Sequence, residues 1–344
     1  MQLKPVHDQV VAIVGASSGI GRSTALEFAK RGAKVAVSAR NQDGLNSLVQ
    51  EIQREGGAAI AIPADVADFA QVQAIADATV AAYGRIDTWV HSSAAGMLAP
   101  FEAMTLEEFR RVLDVTLMGQ VHGARAALPH LRQAGGGSFI AISSMEGRRA
   151  LPLQSAYSTA KHALEGFLES LRVELEHEGA HINVTSIKPA VINTPFYNHA
   201  RTKLGVKPTG IPPYYDPQLV TDAVLHAAEH PTRDYIVGDV GRVLDVVQKV
   251  SPSLVDQLLA WIGFQGQKTS EPKYVQDADN LFEPMPGYEQ ATGDFSHLTV
   301  PSISDWLAKE PIKTVGAIAL GTVALAALGS MHKGNAEARD RIAD

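Results

Sequence analysis

Tyr157 and Lys161 stand four residues apart, and Ser144 precedes Tyr157 by thirteen. On a helix, a spacing of four puts two side chains on one face. A free phenol titrates at about pH 10, too high for an efficient base at neutral pH, but an ammonium group within several ångströms favours the phenolate and lowers that value. The expected chemistry is proton transfer at an oxygen: Tyr157 takes or gives the proton, and Ser144 hydrogen-bonds the substrate oxygen. Taken alone, a Tyr and a Lys at this spacing are more often a packing pair than a reactive one. What lies upstream gives the pair its meaning.

An apolar run from Val10 leads directly into Gly15-Ala16-Ser17-Ser18-Gly19-Ile20-Gly21, a GxxxGxG pattern that opens a helix. Glycines permit a tight turn and close approach of backbone to a pyrophosphate, while the helix amino terminus offers free N–H groups and a favourable dipole. Ser17 and Ser18 add hydroxyl donors. The second apolar run ends Val37-Ser38-Ala39-Arg40, without the acid that would bond a ribose 2′-hydroxyl. Arg40 instead offers a planar guanidinium suited to a 2′-phosphate, so the expected cofactor is NADP(H); the alternative is a solvated surface arginine. Asp65 and Val66 fall at the adenine edge, or Asp65 caps the next helix. Hydride transfer itself would belong to the cofactor, whose nicotinamide ribose Lys161 can hold.

These residues need a scaffold that brings them to one edge. Strands are expected at Val10–Gly15, Lys34–Ser38, Ala59–Pro63, Thr88–Ser92, Ser138–Ser143, Ile182–Lys188 and, more weakly, Tyr235–Gly238. Helical periodicity fills Ile20–Arg31, Phe69–Tyr83, Leu106–His130 and Ala156–Glu178. The β-α alternation predicts an α/β fold, a doubly wound seven-stranded parallel sheet of Rossmann type, with ligands beyond the carboxyl ends of its strands. Residues 1–240 form the expected dinucleotide-binding catalytic domain. A helical and linker extension follows at 241–301, with a helix over Val243–Phe264 and an extended or poorly ordered stretch over Gly266–Pro301. Lys203–Pro217, rich in Gly, Pro and Tyr, reads as a surface lid, and Phe196, Tyr197, Leu204, Ile211, Tyr214 and Tyr215 suggest an apolar or aromatic-compatible pocket.

Composition narrows the function classes. A net charge of −7, with no basic run longer than a pair such as Arg148-Arg149, leaves nothing to track a phosphate backbone, so nucleic acid is not an expected partner. The absence of cysteine excludes disulfides, thiolate nucleophiles and cysteine-ligated metals. His91 has no second ligand at metal spacing and reads as a polar strand-end residue; no metal site is expected. Met1–Asp8 lacks a signal-peptide pattern, so the catalytic domain is expected in the cytoplasm. The tail, residues 302–344, contains eighteen uncharged residues, Thr314–Met331. That length just reaches membrane-span range, yet Ala and Gly keep it weakly hydrophobic, so a membrane tether through 314–331 and a buried or oligomer-forming helix are both open readings.

Taken together, these motifs make the chain resemble the short-chain dehydrogenase/reductase family over residues 8 to about 240. The matching pieces are Gly15–Gly21, Asp65-Val66, Ser144, Tyr157-Ser158-Thr159-Ala160-Lys161 and Lys188-Pro189-Ala190-Val191-Ile192-Asn193-Thr194. The resemblance implies hydride exchange with a small carbonyl or alcohol substrate, Tyr157 as acid/base, Ser144 as substrate orienter, and Lys161 as ribose and pKa partner. It places Thr194 and the backbone at Ile192 on the nicotinamide carboxamide, counts Ala94 among the cofactor contacts, and implies a homo-oligomer through the helices at Leu106–His130 and Ala156–Glu178. Three departures stand out. The family's Asn-Asn-Ala-Gly reads His91-Ser92-Ser93-Ala94, its relay asparagine is Thr116, and its Pro-Gly is Pro189-Ala190. They motivate an alternative function, an NADP(H)-binding scaffold or sensor with little turnover.

Overall fold

A computed structural model of the chain describes residues 3–305. The described residues fall into two units that divide after Pro301. Every site residue named above lies in the first. Of the second, residues 302–305 are described, and there the Ser302 hydroxyl donates to the Asp305 carboxylate. The stretch 314–331 lies outside the described residues; among those described, no helix is long and apolar enough to cross a membrane.

Seven parallel strands form one sheet: β1 (Val10–Val14), β2 (Lys34–Ala39), β3 (Ala58–Pro63), β4 (Thr88–His91), β5 (Gly137–Ile142), β6 (Ile182–Pro189) and β7 (Asp234–Val237). Their spatial order is β7-β6-β5-β4-β1-β2-β3, so the winding order reverses between β1 and β4, where a crevice opens at the carboxyl ends. All five residues of β1 are buried, as expected for a strand covered on both faces. β7 is weak in sequence because it is an edge strand whose residues remain half-open.

Two apolar layers flank the sheet. On one face lie α1 (Gly19–Lys30), α2 (Gln42–Arg54) and a helix over Pro217–Glu229, contributing Phe28, Leu45, Leu48 and Val224. On the other lie α3 (Phe69–Tyr83), α4 (Leu106–Leu113), α5 (Gly119–Gln133) and α6 (Ser155–His177), contributing Ile75, Val112, Leu131, Leu164 and Leu168. A capping box at Thr105, whose hydroxyl accepts from Glu108 N–H while the Glu108 carboxylate accepts from Thr105 N–H, starts α4.

Four sequence expectations are corrected. The helix expected over 106–130 continues to Gln133 but carries a π turn at Asp114–Met118. The helix expected over 243–264 is two, Asp239–Val250 and Pro252–Ile262, because Pro252 has no N–H to continue the first. The expected surface lid at 203–217 is largely inside: Tyr214 and Tyr215 are fully buried, and Tyr214 stacks on Phe295 with ring centroids 4.9 Å apart. The stretch 266–301 is extended but held in place. Lys268–Pro272 pairs antiparallel with Val206–Pro208, and Leu281 and Phe295 are buried. Its polar composition concealed these two anchors, each of which removes a large apolar side chain from water.

Candidate active site

The crevice is a cavity of about 420 Å³ at the carboxyl ends of the strands. The turn after β1 forms its floor. Gly15 has φ +86°, and a Cβ there would lie 2.6 Å from Ser93 N. A Cβ on Gly21 would strike the carbonyl oxygen of Gly15. Only glycine therefore permits the close return of chain that exposes Ser17, Ser18, Gly19 and Ile20 to the cavity. Gly21 does not line the cavity; its role is steric, one turn behind. The residues fit a dinucleotide, since this cradle has space for a pyrophosphate where side chains would otherwise project.

Arg40, Asp65 and Val66 line the same cavity beyond β2 and β3. Arg40 is not a solvated surface side chain. Its Nη1 donates to Phe282 O at 2.8 Å and its Nη2 to Asn280 O, and burial lowers its pKa. Asp65 does not cap α3, a role taken by Asp68, whose carboxylate accepts from Ala70 N. Asp65 accepts instead from Ala67 N at 3.0 Å and from Arg111 Nη2 at 2.6 Å. Ala94, Ile192 and Thr194 also line the cavity, and Thr194 backs Gly19, 3.3 Å from where a Cβ would sit. Ala190 replaces glycine without strain, because Leu153 is the sole non-glycine residue with positive φ among those described.

Ser144, Tyr157 and Lys161 meet at the other end. Ser144 accepts from Glu146 N–H at 3.0 Å, which leaves its own hydroxyl hydrogen for another acceptor. Lys161 Nζ donates to Ile142 O at 2.8 Å and lies 5.5 Å from the centre of the Tyr157 ring. Burial brings Lys161 down to about 8, against the neighbouring carboxylates Glu165 and Glu146. Tyr157 departs from expectation. Burial, reinforced by the charge of Glu146, holds its pKa well above the usual phenol value, and the Ser144 hydrogen bond opposes this only in part. The phenol is held protonated, because removing it from water disfavours the phenolate more than its neighbours favour it.

Sequence reasoning missed Glu146. It lines the cavity, is almost wholly buried, accepts from Ser158 Oγ at 2.6 Å, and burial raises its pKa to about 8. A carboxylate two residues beyond Ser144 was the available signal. Also missed were Asn280, Pro284 and Met285 of the late segment, and Leu244, Leu258 and Ile262 of the helices after β7. Of the expected pocket aromatics, Phe196 and Tyr197 line the cavity, as does Ile211; Tyr214, Tyr215 and Leu204 do not. His91, expected as a polar strand-end residue, is fully enclosed against Gly123 of α5, and burial lowers its pKa to about 3. Thr116 sits in the π turn with its hydroxyl on the backbone of Ala95, accepting from the N–H at 3.0 Å.

Known proteins resemble the chain throughout this region. Residues 9–205 match the family described as short chain dehydrogenase. The uncharacterized oxidoreductase YxnA of Bacillus subtilis is 36% identical over 329 residues, covering 95% of this chain and 92% of its own length. Among solved structures, a short-chain type dehydrogenase/reductase from Mycobacterium marinum aligns with a TM-score of 0.59 at 29% identity, over 68% of this chain and 95% of that one. A 7α-hydroxysteroid dehydrogenase, solved with NADH and 7-oxo glycochenodeoxycholic acid, aligns with a TM-score of 0.59 at 25% identity, over 68% of this chain and 94% of its own.

Proposed function

Because the chain belongs to the short-chain dehydrogenase family and is an oxidoreductase of that family, we propose that it reduces a carbonyl substrate to an alcohol with NADPH, Tyr157 acting as the acid. One observation carries this reading: Ser144, Tyr157 and Lys161 line the same cavity as the glycine cradle. A bound reduced nicotinamide supplies the hydride. Tyr157 gives its proton to the substrate oxygen as negative charge develops there, and Ser144, whose hydroxyl faces Tyr157 and keeps its hydrogen clear of the Glu146 N–H contact, turns that hydrogen to the same atom. The Lys161 ammonium then returns a proton to the phenolate. Held protonated by burial, the phenol starts in the state that a proton donor requires. Arg40, standing at the end of β2 where an acid would bond a ribose 2′-hydroxyl, supports selection of the 2′-phosphate. Phe196, Tyr197 and Ile211 make an apolar carbonyl compound the fitting substrate.

Tyr157→Phe keeps the ring and removes the transferable proton. The kcat for NADPH-dependent reduction of a ketone panel is expected to fall about 10²- to 10⁴-fold while NADPH still binds. Near wild-type turnover in that variant would end the mechanism. A second reading, an NADP(H)-binding sensor with little turnover, is supported by Thr116, whose hydroxyl is committed to Ala95 rather than free to join a relay from Lys161. Tight NADPH binding without turnover across a broad carbonyl panel would select it.

A further inference from the structure

The segment Asp279–Gln290 crosses the open side of the nucleotide end of the cavity and is tied to walls that lie far apart in the sequence. It starts at Asp279, whose carboxylate accepts from Arg201 Nη1 at 2.9 Å, while Asn280 N donates to His199 O at 2.9 Å. Leu281 is buried in the core, and its carbonyl accepts from Arg111 Nε at 3.0 Å. The carbonyls of Asn280 and Phe282 then take both terminal nitrogens of Arg40. Farther on, the Glu289 carboxylate accepts from Asn41 Nδ2 at 3.1 Å, and Gln290 O accepts from Gly19 N at 2.9 Å.

The strap's acceptors occupy donors that suit phosphates: the guanidinium beyond β2 and an amide at the start of α1. A neutral carbonyl is a weaker partner for a guanidinium than a phosphate dianion, so these bonds hold the strap without outcompeting an anion. Beneath it the cavity stays open, and Asn280, Pro284 and Met285 line it together with Ser18, Arg40 and Asp65.

Resting on the dinucleotide reading above, we propose that Asp279–Gln290 is the outer wall of the nucleotide site: Asn280, Pro284 and Met285 contact the adenosine half of NADP(H), and the strap must lift for nucleotide to enter or leave. Exchange is then gated by the chain itself, and association is slowed by the fraction of time the strap is closed.

The chain has no cysteine, so an engineered pair is its only disulfide. A Cβ at Gly44 of α2 would lie 3.1 Å from Glu289 Cγ, the position that the sulfur introduced by Glu289→Cys would take, and neither residue lines the cavity. In the Gly44→Cys, Glu289→Cys protein, NADPH uptake is followed by stopped-flow fluorescence before and after oxidation, with the cross-link verified by mass. The oxidised form is expected to associate at least about tenfold more slowly than the reduced form, with reductant restoring the rate. Equal rates in the two forms would overturn the strap while leaving the dinucleotide reading intact. Failure of the unmodified protein to bind either NADPH or NADH would overturn both. Independently of the cross-link, backbone amides of 279–290 in the unmodified protein are expected to exchange deuterium more slowly with saturating NADPH; unchanged exchange there would overturn the wall.

Discussion

The floor and the cover of the cavity are held by opposite means. The floor, Gly15–Gly21, keeps its shape because nothing else fits: one added carbon at Gly21 meets a carbonyl oxygen of the same turn. The cover, Asp279–Gln290, keeps its place because many main-chain acceptors find donors, with one buried leucine beneath. Steric exclusion makes a surface that tolerates no substitution. Main-chain bonding makes one that tolerates most, since every residue type carries the same carbonyl.

Gly21→Ala separates the two most sharply. It is expected to destabilise the fold by about 3 kcal/mol, an overpacking cost, and to weaken NADPH binding, whereas Asn280→Ala in the cover keeps its carbonyl and should shift stability by about 0.5 kcal/mol or less. Thermal unfolding of both variants measures this, and equal losses would erase the distinction. Arg40→Asp comes next, because Arg40 belongs to both regions. It should lower the NADPH-to-NADH affinity ratio about tenfold or more by placing an anion beside the 2′-phosphate, and it should raise deuterium uptake in 279–290. A changed ratio with an unchanged strap would show that the cover does not depend on this side chain. The smallest effect is expected at Glu146→Gln, remote from both. Glu146 faces Ser158, and its charge acts on Lys161, Tyr157 and Tyr197. Its anion raises the Lys161 pKa, so the amide should move the alkaline limb of the rate profile, set by Lys161 at about 8, to lower pH by about one unit or less. A shift to higher pH would reverse the sign assigned to that contact.

The parallel sheet and the cradle were legible because their causes are local. Runs such as Val10–Val14 must be covered on both faces, and glycines spaced as in Gly15–Gly21 are demanded by the turn they make. The meeting of Ser144, Tyr157 and Lys161 in one cavity was legible because two lie on one helix face and the third follows a strand. The cover was not legible. Its contacts pair Arg40 with residues some 240 positions later, and the acceptors are carbonyls that leave no mark on residue type. The state of Tyr157 was misread for a related reason. Spacing located its ammonium neighbour, but the sign of the shift depends on burial, which only the packing of Phe196 and the surrounding core reveals. The π turn at Thr116 was not legible because it preserves apolar periodicity on either side while inserting a step within it.

The late position of the cover also has a consequence for biosynthesis. The sheet is complete once Val237 has been made, but Asp279 lies 42 residues further along (279 − 237). At about 5–20 residues per second, about 2–8 s of synthesis separate the end of the sheet from the start of the cover. If the strap gates exchange as proposed, a nucleotide would meet an ungated groove in that interval, and a ribosome-bound chain would be loaded faster than the finished protein is reloaded.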